Sequence, residues 1–166
     1  FDTETRPTFK RGVSYSPSLV QFAGEGLAVL LRAGSFPAWE AVSEIIGDAG
    51  VVKAGVAVRD DLTALGKIGP VKPMGFEDVG EWAKRFCSPV TGLRNLAAGL
   101  LGIRVSKKAR LTNWEAKSLT PAQVNYAATD AWVSRELYLA MKKLGPKPQK
   151  KDSRPRALPG DRPCPD

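Results

Sequence analysis

The fold class is indicated by the stretch Val51-Val52-Lys53-Ala54-Gly55-Val56-Ala57-Val58-Arg59-Asp60-Asp61-Leu62, which predicts a strand followed by a helix. The valine-rich first eight residues predict a β-strand over 51–58. Asp60 is a favoured N-cap residue, and it predicts a short helix that carries Asp61, Leu62 and Leu65. A strand followed directly by a helix is typical of α/β proteins, so this stretch indicates the fold class.

The chain before this stretch predicts three consecutive antiparallel strands. They lie over 1–5, 19–23 and 27–31, and the turn Gly24-Glu25-Gly26 joins the last two. Pro37 is placed to begin a helix whose apolar side chains share one face. These side chains are Trp39, Val42, Ile45 and Ile46.

The chain after this stretch predicts one more strand and three helices. The strand lies over 74–78, and two helices lie over 79–86 and 93–101. Thr120 and Gln123 form a capping box, with Pro121 at the first helical position. A long helix is therefore expected from Pro121 to about Leu144, where Gly145-Pro146 supplies the end.

The length of 166 residues and a hydrophobic content of 43% suit one domain, which we place at 1–145. Residues 146–166 hold six prolines, and the chain from Lys142 onward has eight Lys or Arg against three Asp. Such a basic, proline-rich tail is expected to be disordered. No apolar run approaches the ~20 residues of a membrane span, so no membrane partner is expected, and the presence of only two cysteines favours a reducing, intracellular setting.

Two residue types restrict the chemistry. The two cysteines, Cys87 and Cys164, form no disulfide framework, and no disulfide partner is expected. The chain has no histidine, which excludes histidine acid–base catalysis, serine or cysteine triads and nearly all zinc chemistry. Hard metal ions with oxygen ligands remain possible.

Acidic residues in three places predict such a metal site. Asp2 and Glu4 are two residues apart on a strand and therefore point to one face, although an isolated pair of this kind is more often a solvated strand end. Asp130 interrupts an apolar stripe of the long helix, where an ionised carboxylate needs a partner or a metal. Asp61, in the first turn of its helix, is the fourth acid, although the helix dipole alone also favours an acid there. Tyr126 lies one turn before Asp130 on the same face.

The segments that carry these residues resemble the three exonuclease motifs of the DEDDy 3′-5′ exonuclease family, which includes ribonuclease D and the Werner syndrome exonuclease domain. The matching segments are Phe1-Asp2-Thr3-Glu4-Thr5, then 53–62, then Tyr126-Ala127-Ala128-Thr129-Asp130-Ala131. The stretch 110–120 also resembles the family's approach to its third motif. Ala57 stands where the family commonly has glycine, a change expected to be tolerated on a strand.

The resemblance implies a ribonuclease H-like fold, in which helices flank a mixed sheet of three antiparallel and two parallel strands. It implies a metal-dependent 3′-5′ exonuclease that shortens single-stranded DNA or RNA with two Mg²⁺ or Mn²⁺ ions and releases nucleoside 5′-monophosphates. Asp2 then bridges the ions, Glu4 and Asp130 ligate one, and Asp61 supports the other through water. Tyr126 orients the attacking water.

Other residues are candidates for nucleic-acid contact. Lys107, Lys108 and Arg110 are suited to phosphates and Trp114 to base stacking, although a solvated loop with one packed tryptophan fits equally well. The backbone of Thr3 and Thr5 is placed to approach the 3′ end. Two rival functions remain open, namely an inactive adaptor of the same fold that binds nucleic acid or protein, and a hydrolase of free nucleotides.

Overall fold

The computed structural model describes residues 1–35, 38–86 and 88–145. The predictions made for Pro37, the two cysteines and the tail 146–166 lie outside these residues. The described chain forms five strands, five α-helices and one π-helical turn. The strands are β1 (Asp2–Thr5), β2 (Pro17–Ala23), β3 (Ala28–Arg32), β4 (Lys53–Gly55) and β5 (Phe76–Asp78). The helices are α1 (Ala38–Gly47), α2 (Val58–Leu65), α3 (Val79–Arg85), α4 (Leu93–Leu96) and α5 (Pro121–Leu144), and the π-helical turn is Ala97–Leu101.

The five strands form two hydrogen-bonded groups. Strands β1, β2 and β3 are antiparallel in that order, and β4 pairs with β5 in parallel. The predicted three antiparallel and two parallel strands are therefore present, but the predicted single sheet is hydrogen-bonded in two parts. The groups meet at Phe1, whose backbone nitrogen donates to the carbonyl oxygen of Ala54 at 2.8 Å.

Gly55 allows the two groups to approach each other. A Cβ atom at this position would lie 2.8 Å from the carbonyl oxygen of Phe1 and 2.5 Å from a methyl group of Val58. Both distances are too short for a side chain, so only glycine fits where β4 passes the first strand.

Helix α5 begins and ends where the sequence predicts. The hydroxyl of Thr120 accepts from the backbone nitrogen of Gln123 at 3.3 Å, and the Gln123 side chain accepts from the backbone nitrogen of Thr120 at 2.9 Å, which completes the capping box. The predicted stripe on one face of this helix is buried throughout, and its members are Tyr126, Asp130, Val133, Leu137 and Met141. A polar group therefore does lie within the apolar face of the helix.

The prediction for the junction between β4 and α2 is wrong. The strand covers Lys53–Gly55 only, and the N-cap of α2 is Ala57 rather than Asp60. The first backbone N–H of the helix, on Val58, donates to a carboxylate oxygen of Asp78 at 3.2 Å. A side chain from the end of β5 thus takes the role assigned to Asp60, which lies exposed inside the first turn.

Ala57 is also not on a strand, because it adopts a left-handed conformation with φ 61°. This conformation costs an alanine roughly 1–2 kcal/mol, whereas glycine adopts it freely. We expect Ala57→Gly to raise the free energy of unfolding by about 1 kcal/mol, measured by chemical denaturation. Ala64→Gly, inside α2, is the control and should lower it by about 0.5–1 kcal/mol. A less stable Ala57→Gly protein would contradict this account of the turn.

Three apolar clusters hold the elements together. One lies between β4, α3, α4 and α5, a second lies under β1, β2, α1 and α2, and a third surrounds Trp114 and Tyr126. Helix α5 contributes to the first and the third cluster, so its position relative to β1 is fixed by packing on two sides. In the part of the chain that the structure describes, no helix has the length and apolar character that a membrane crossing requires.

Candidate active site

Three carboxylates meet between β1 and the middle of α5. One oxygen atom from each of Asp2, Glu4 and Asp130 lies within 4.8 Å of the other two. Asp2 and Glu4 share a face of β1, and Asp130 projects from the buried face of α5. Glu4 is only 7% exposed and Asp130 only 4%. The fold thus brings together three of the four acids that the sequence singles out.

This acidic cluster is unfavourable in its ionised form unless a cation is present. Burial, together with the charges of Asp2 and Asp130, raises the pKa of Glu4 to about 9. Burial and the charges of Asp61 and Asp130 raise the pKa of Asp2 to about 8. Burial raises the pKa of Asp130 to about 6, against the opposing effects of Tyr126 and Arg94. A divalent cation would stabilise the ionised forms.

The atoms of the cluster suit a hard cation. All of its donors are carboxylate oxygens, which are the ligands that Mg²⁺ and Mn²⁺ prefer. Oxygen Oδ1 of Asp130 is buried and accepts no hydrogen bond from the residues that the structure describes. A buried acceptor without a donor costs free energy, and a bound cation would remove that cost. The acidic cluster therefore fits a divalent metal ion.

The fourth acid, Asp61, lies beside the cluster rather than in it. It lies in the first turn of α2, and its Oδ1 accepts a hydrogen bond of 2.5 Å from the hydroxyl of Thr3. Burial raises the pKa of Asp61 to about 6, and the hydrogen bond from Thr3 opposes that rise. The hydroxyl of Thr3 thus holds Asp61 against β1, close enough for its charge to raise the pKa of Asp2.

Tyr126 stands beside Asp130 and contacts an arginine that the sequence analysis missed. Nη2 of Arg94 donates to the hydroxyl oxygen of Tyr126 at 2.9 Å. Burial raises the pKa of Tyr126 above its ordinary value near 10, and the charges of Asp130 and Glu4 add to this rise. The hydroxyl therefore stays protonated near neutral pH and acts as a hydrogen-bond donor rather than a base. The sequence signal for Arg94 is that it is the one charged residue in the predicted helix over 93–101.

Gln21 is the second residue that the sequence analysis missed. It lies on β2 directly opposite Asp2 and is fully buried. Its Nε2 lies 3.5 Å from Oδ2 of Asp2. A buried amide among the apolar residues of a strand is the signal that would have identified it. Gln21 thus holds the carboxylate of Asp2 in place from the neighbouring strand.

A cavity of about 210 Å³ opens beside the cluster. This carboxylate cleft is lined by Asp2, Arg94, Arg110, Tyr126 and Asp130, among others. Arg110 is exposed, and its charge lowers the pKa of Glu4 against the larger effect of burial. The cleft is therefore lined by both carboxylates and guanidinium groups, which suits a phosphate held next to a metal.

Besides Arg110, two lysines are predicted to contact phosphates, and they lie near the cleft in the chain. Lys108 is exposed and lines a neighbouring cavity of about 200 Å³ together with Tyr126 and Asp130. Lys107 is also exposed, one residue before it. Thr5, at the end of β1, is half-buried. These placements keep all three as candidates for nucleic-acid contact.

Trp114 does not present a ring face to the cleft. It is fully buried and packs against Tyr126, with ring centroids 5.9 Å apart. Nη1 of Arg32 donates to its carbonyl oxygen at 2.7 Å and holds the loop against β3. Of the two alternatives for this residue, the structure has the packed tryptophan, and stacking on a base is incompatible with its burial. The packed indole limits the positions that the ring of Tyr126 can take.

The fold and the acidic cluster together define a class of α/β hydrolases that use aspartate and glutamate oxygens to hold divalent cations. A family model described as 3′-5′ exonuclease matches residues 1–146. The chain belongs to this 3′-5′ exonuclease family, which confirms the predicted family and the predicted class of hydrolase.

Curated relatives support the assignment and show that the chain corresponds to part of each. The mouse bifunctional 3′-5′ exonuclease/ATP-dependent helicase WRN is 28% identical over 151 residues, which cover 87% of this chain and 11% of that protein. The chain spans only 11% to 22% of the length of three of the curated relatives that it matches. The similarity therefore concerns the exonuclease domain.

Solved structures show the same fold. Escherichia coli RNase D, an exoribonuclease involved in structured RNA processing, superposes with a TM-score of 0.67 and 25% identity, covering 87% of this chain and 39% of that chain. Brucella melitensis NrnC with bound Mg²⁺ gives a TM-score of 0.65 and 22% identity, covering 77% and 64%. The predicted ribonuclease H-like exonuclease fold is thereby confirmed.

Proposed function

We propose that this protein removes nucleotides one at a time from the 3′ end of single-stranded DNA or RNA by metal-dependent hydrolysis. The observation that carries the proposal is the cluster of Asp2, Glu4 and Asp130, whose oxygens lie within 4.8 Å of one another beside Tyr126. Membership of the 3′-5′ exonuclease family supports the direction of hydrolysis. NrnC, a structure of the same fold, is described with bound Mg²⁺, which supports the choice of metal.

The acids of the site are suited to hold two cations, Mg²⁺ or Mn²⁺. Asp2 would bridge the two, Glu4 and Asp130 would hold one, and Asp61 would support the other through water. When bound, the cations supply charge that stabilises the attacking and leaving oxygens of an in-line displacement at phosphorus. The water oxygen bonds to phosphorus, the bond to the 3′ oxygen of the preceding nucleotide breaks, and a nucleoside 5′-monophosphate leaves.

Side chains around the acids position the substrate. The hydroxyl of Tyr126 donates a hydrogen bond that orients the attacking water, because its proton is retained at neutral pH. Arg110 lines the cleft together with the acids, where it would bind a phosphate of the entering strand. Lys107 and Lys108 are exposed nearby in the chain and would bind further phosphates of the strand.

The proposal is tested with single-stranded oligonucleotides labelled at the 5′ end. With Mg²⁺ or Mn²⁺ we expect a ladder of products shortened from the 3′ end, release of mononucleotides and no reaction in a chelator. Asp130→Asn should lower the rate at least about 10³-fold, equivalent to about 4 kcal/mol of transition-state stabilisation. Asp60→Asn is the matched control, since Asp60 is exposed and does not belong to the cluster.

Three results would contradict the proposal. Absence of shortening with either metal would favour an adaptor that binds without turnover. Faster hydrolysis of a mononucleotide analogue than of the oligonucleotide would indicate a nucleotide hydrolase. Shortening that persists unchanged in Asp130→Asn would show that the site is elsewhere.

A further inference from the structure

Arg94 is the only side chain besides those of the acidic cluster and Trp114 that the described structure shows in polar or ring contact with Tyr126. It lies on α4, 32 residues from Tyr126 along the chain, and its Nη2 reaches the hydroxyl oxygen at 2.9 Å. The same nitrogen lies 3.4 Å from the carbonyl oxygen of Ser106. The guanidinium therefore links α4, the loop after it and α5 at the edge of the carboxylate cleft.

The donor and acceptor capacity of the two groups fixes the direction of their hydrogen bond. A guanidinium group only donates, so the hydroxyl oxygen of Tyr126 must accept. The single proton of the hydroxyl is then directed to another acceptor. Asp130 lies one turn further along the same face of α5 and, with Asp2, lines the same cleft. A hydrogen bond from Tyr126 also acts on the carboxyl of Asp130, so the hydroxyl proton faces the acidic side of the cleft.

We propose that Arg94 is a positioning residue that holds Tyr126 with its hydroxyl proton facing the attacking water. This inference rests on the proposed function and adds to it a residue outside the three exonuclease motifs. We expect Arg94 to act mainly through Tyr126, to which it donates, while its charge also lowers the pKa of Asp130. Without it the tyrosine oxygen would lose its donor, and the hydroxyl would rotate among several partners.

The side chain of Arg94 is constrained for this role. Its Nε is buried and makes no hydrogen bond with the described residues, so the Nη end makes the hydrogen bonds that orient the group. Lysine at this position would keep the charge but lose the planar group that reaches Tyr126 and Ser106 together. Arg94→Lys is therefore expected to resemble Arg94→Gln rather than the wild type.

The kinetic test is a double-mutant cycle on a single-stranded oligonucleotide with Mn²⁺. Arg94→Gln should lower kcat about 10-fold and leave KM within about twofold. In a Tyr126→Phe background, the same change should lower kcat less than about twofold, because the hydroxyl that it positions is absent. The control Arg104→Gln removes the same charge from an exposed site and should leave both constants unchanged. An equal loss in both backgrounds, or a loss confined to KM, would overturn the inference.

A second test does not need activity. The chain has three tyrosines, so ¹³Cζ-tyrosine labelling gives three NMR signals, and the one lost in Tyr126→Phe is that of Tyr126. Its chemical shift should change in Arg94→Gln and stay in place in Arg104→Gln. An unchanged shift in Arg94→Gln would overturn the inference even if the wild type is inactive. Inactivity of the wild type with a changed shift would instead contradict the proposed function alone.

Discussion

Replacing Asp2 by asparagine is expected to lower the exonuclease rate at least about 10³-fold and, at the same time, to stabilise the metal-free protein. The loss of activity follows from the position of Asp2, which is the acid assigned to both cations. An asparagine is nearly the same size, so the change removes one charge and little packing. Removal of this one charge is therefore expected both to lower the activity and to raise the stability.

The gain in stability follows from the repulsion within the acidic cluster. Burial and the charges of Asp61 and Asp130 raise the pKa of Asp2 to about 8, compared with about 4 in an unfolded chain. Above pH 8 the folded protein must therefore keep an unfavourable charge that the unfolded chain carries without cost. Asp2 is partly exposed, so solvent screens part of this repulsion. We therefore expect Asp2→Asn to raise the free energy of unfolding by only about 1 kcal/mol.

Two measurements at pH 8.5 in chelator-treated buffer check this prediction. Urea denaturation should show a higher midpoint for Asp2→Asn than for the wild type, with the same slope. Asp60→Asn, which removes an exposed charge, should change neither the midpoint nor the activity appreciably. A variant that is both inactive and less stable would indicate that Asp2 supports the fold instead of straining it.

Local signals in the sequence predicted the long helix and the burial of Asp130 within it. The capping box at Thr120 and Gln123 acts within four residues, so the beginning of α5 could be read directly. The burial of Asp130 followed from the helical period alone, since the apolar residues on either side of it share its face. Where a structural feature depends on neighbours in the chain, the prediction was correct.

The features that the sequence did not reveal depend on residues distant in the chain. Helix α2 begins at Val58 because Asp78 accepts from its N–H across the parallel strand pair, 20 residues away. Arg94 reaches Tyr126 across 32 residues, and Gln21 reaches Asp2 from the opposite strand. Trp114 is buried against Leu19, which lies 95 residues earlier in the chain. No pattern of propensity or spacing encodes such contacts, which only the tertiary arrangement creates.

Adding Mg²⁺ is expected to stabilise the protein, and the gain should grow as the pH rises from 6 to 9. The metal-free protein sets the direction of this dependence. With raised pKa values of about 8 and about 9, Asp2 and Glu4 hold protons in the folded state that the unfolded chain has already lost. Folding therefore takes up protons, and the free energy of unfolding without metal falls as the pH rises from about 4 to about 9.

The stabilisation by the cation changes with pH in the opposite direction, because the cation binds the ionised carboxylates. At pH 6 it must displace protons from Asp2 and Glu4, which lowers its apparent affinity, whereas at pH 9 most of those protons have left. At a concentration of about 100 times the dissociation constant, a ligand that binds only the folded state adds about 2.7 kcal/mol. For a domain of this size that corresponds to a rise in Tm of roughly 5–10 °C.

Thermal unfolding with and without Mg²⁺ at pH 6, 7.5 and 9 tests both parts of this argument. The rise in Tm should be small at pH 6 and largest at pH 9. The variant Asp2→Asn/Asp130→Asn should show no rise at any pH, because two of the three clustered oxygens that hold the cation are replaced by amides. Glu25→Gln, which removes an exposed charge in the turn between β2 and β3, should respond as the wild type does. A rise in Tm that becomes smaller with increasing pH, or that persists in the double variant, would show that the cation binds to other ligands. Carboxylates with raised pKa values lose their protons in this pH range, and only they make binding stronger as the pH increases.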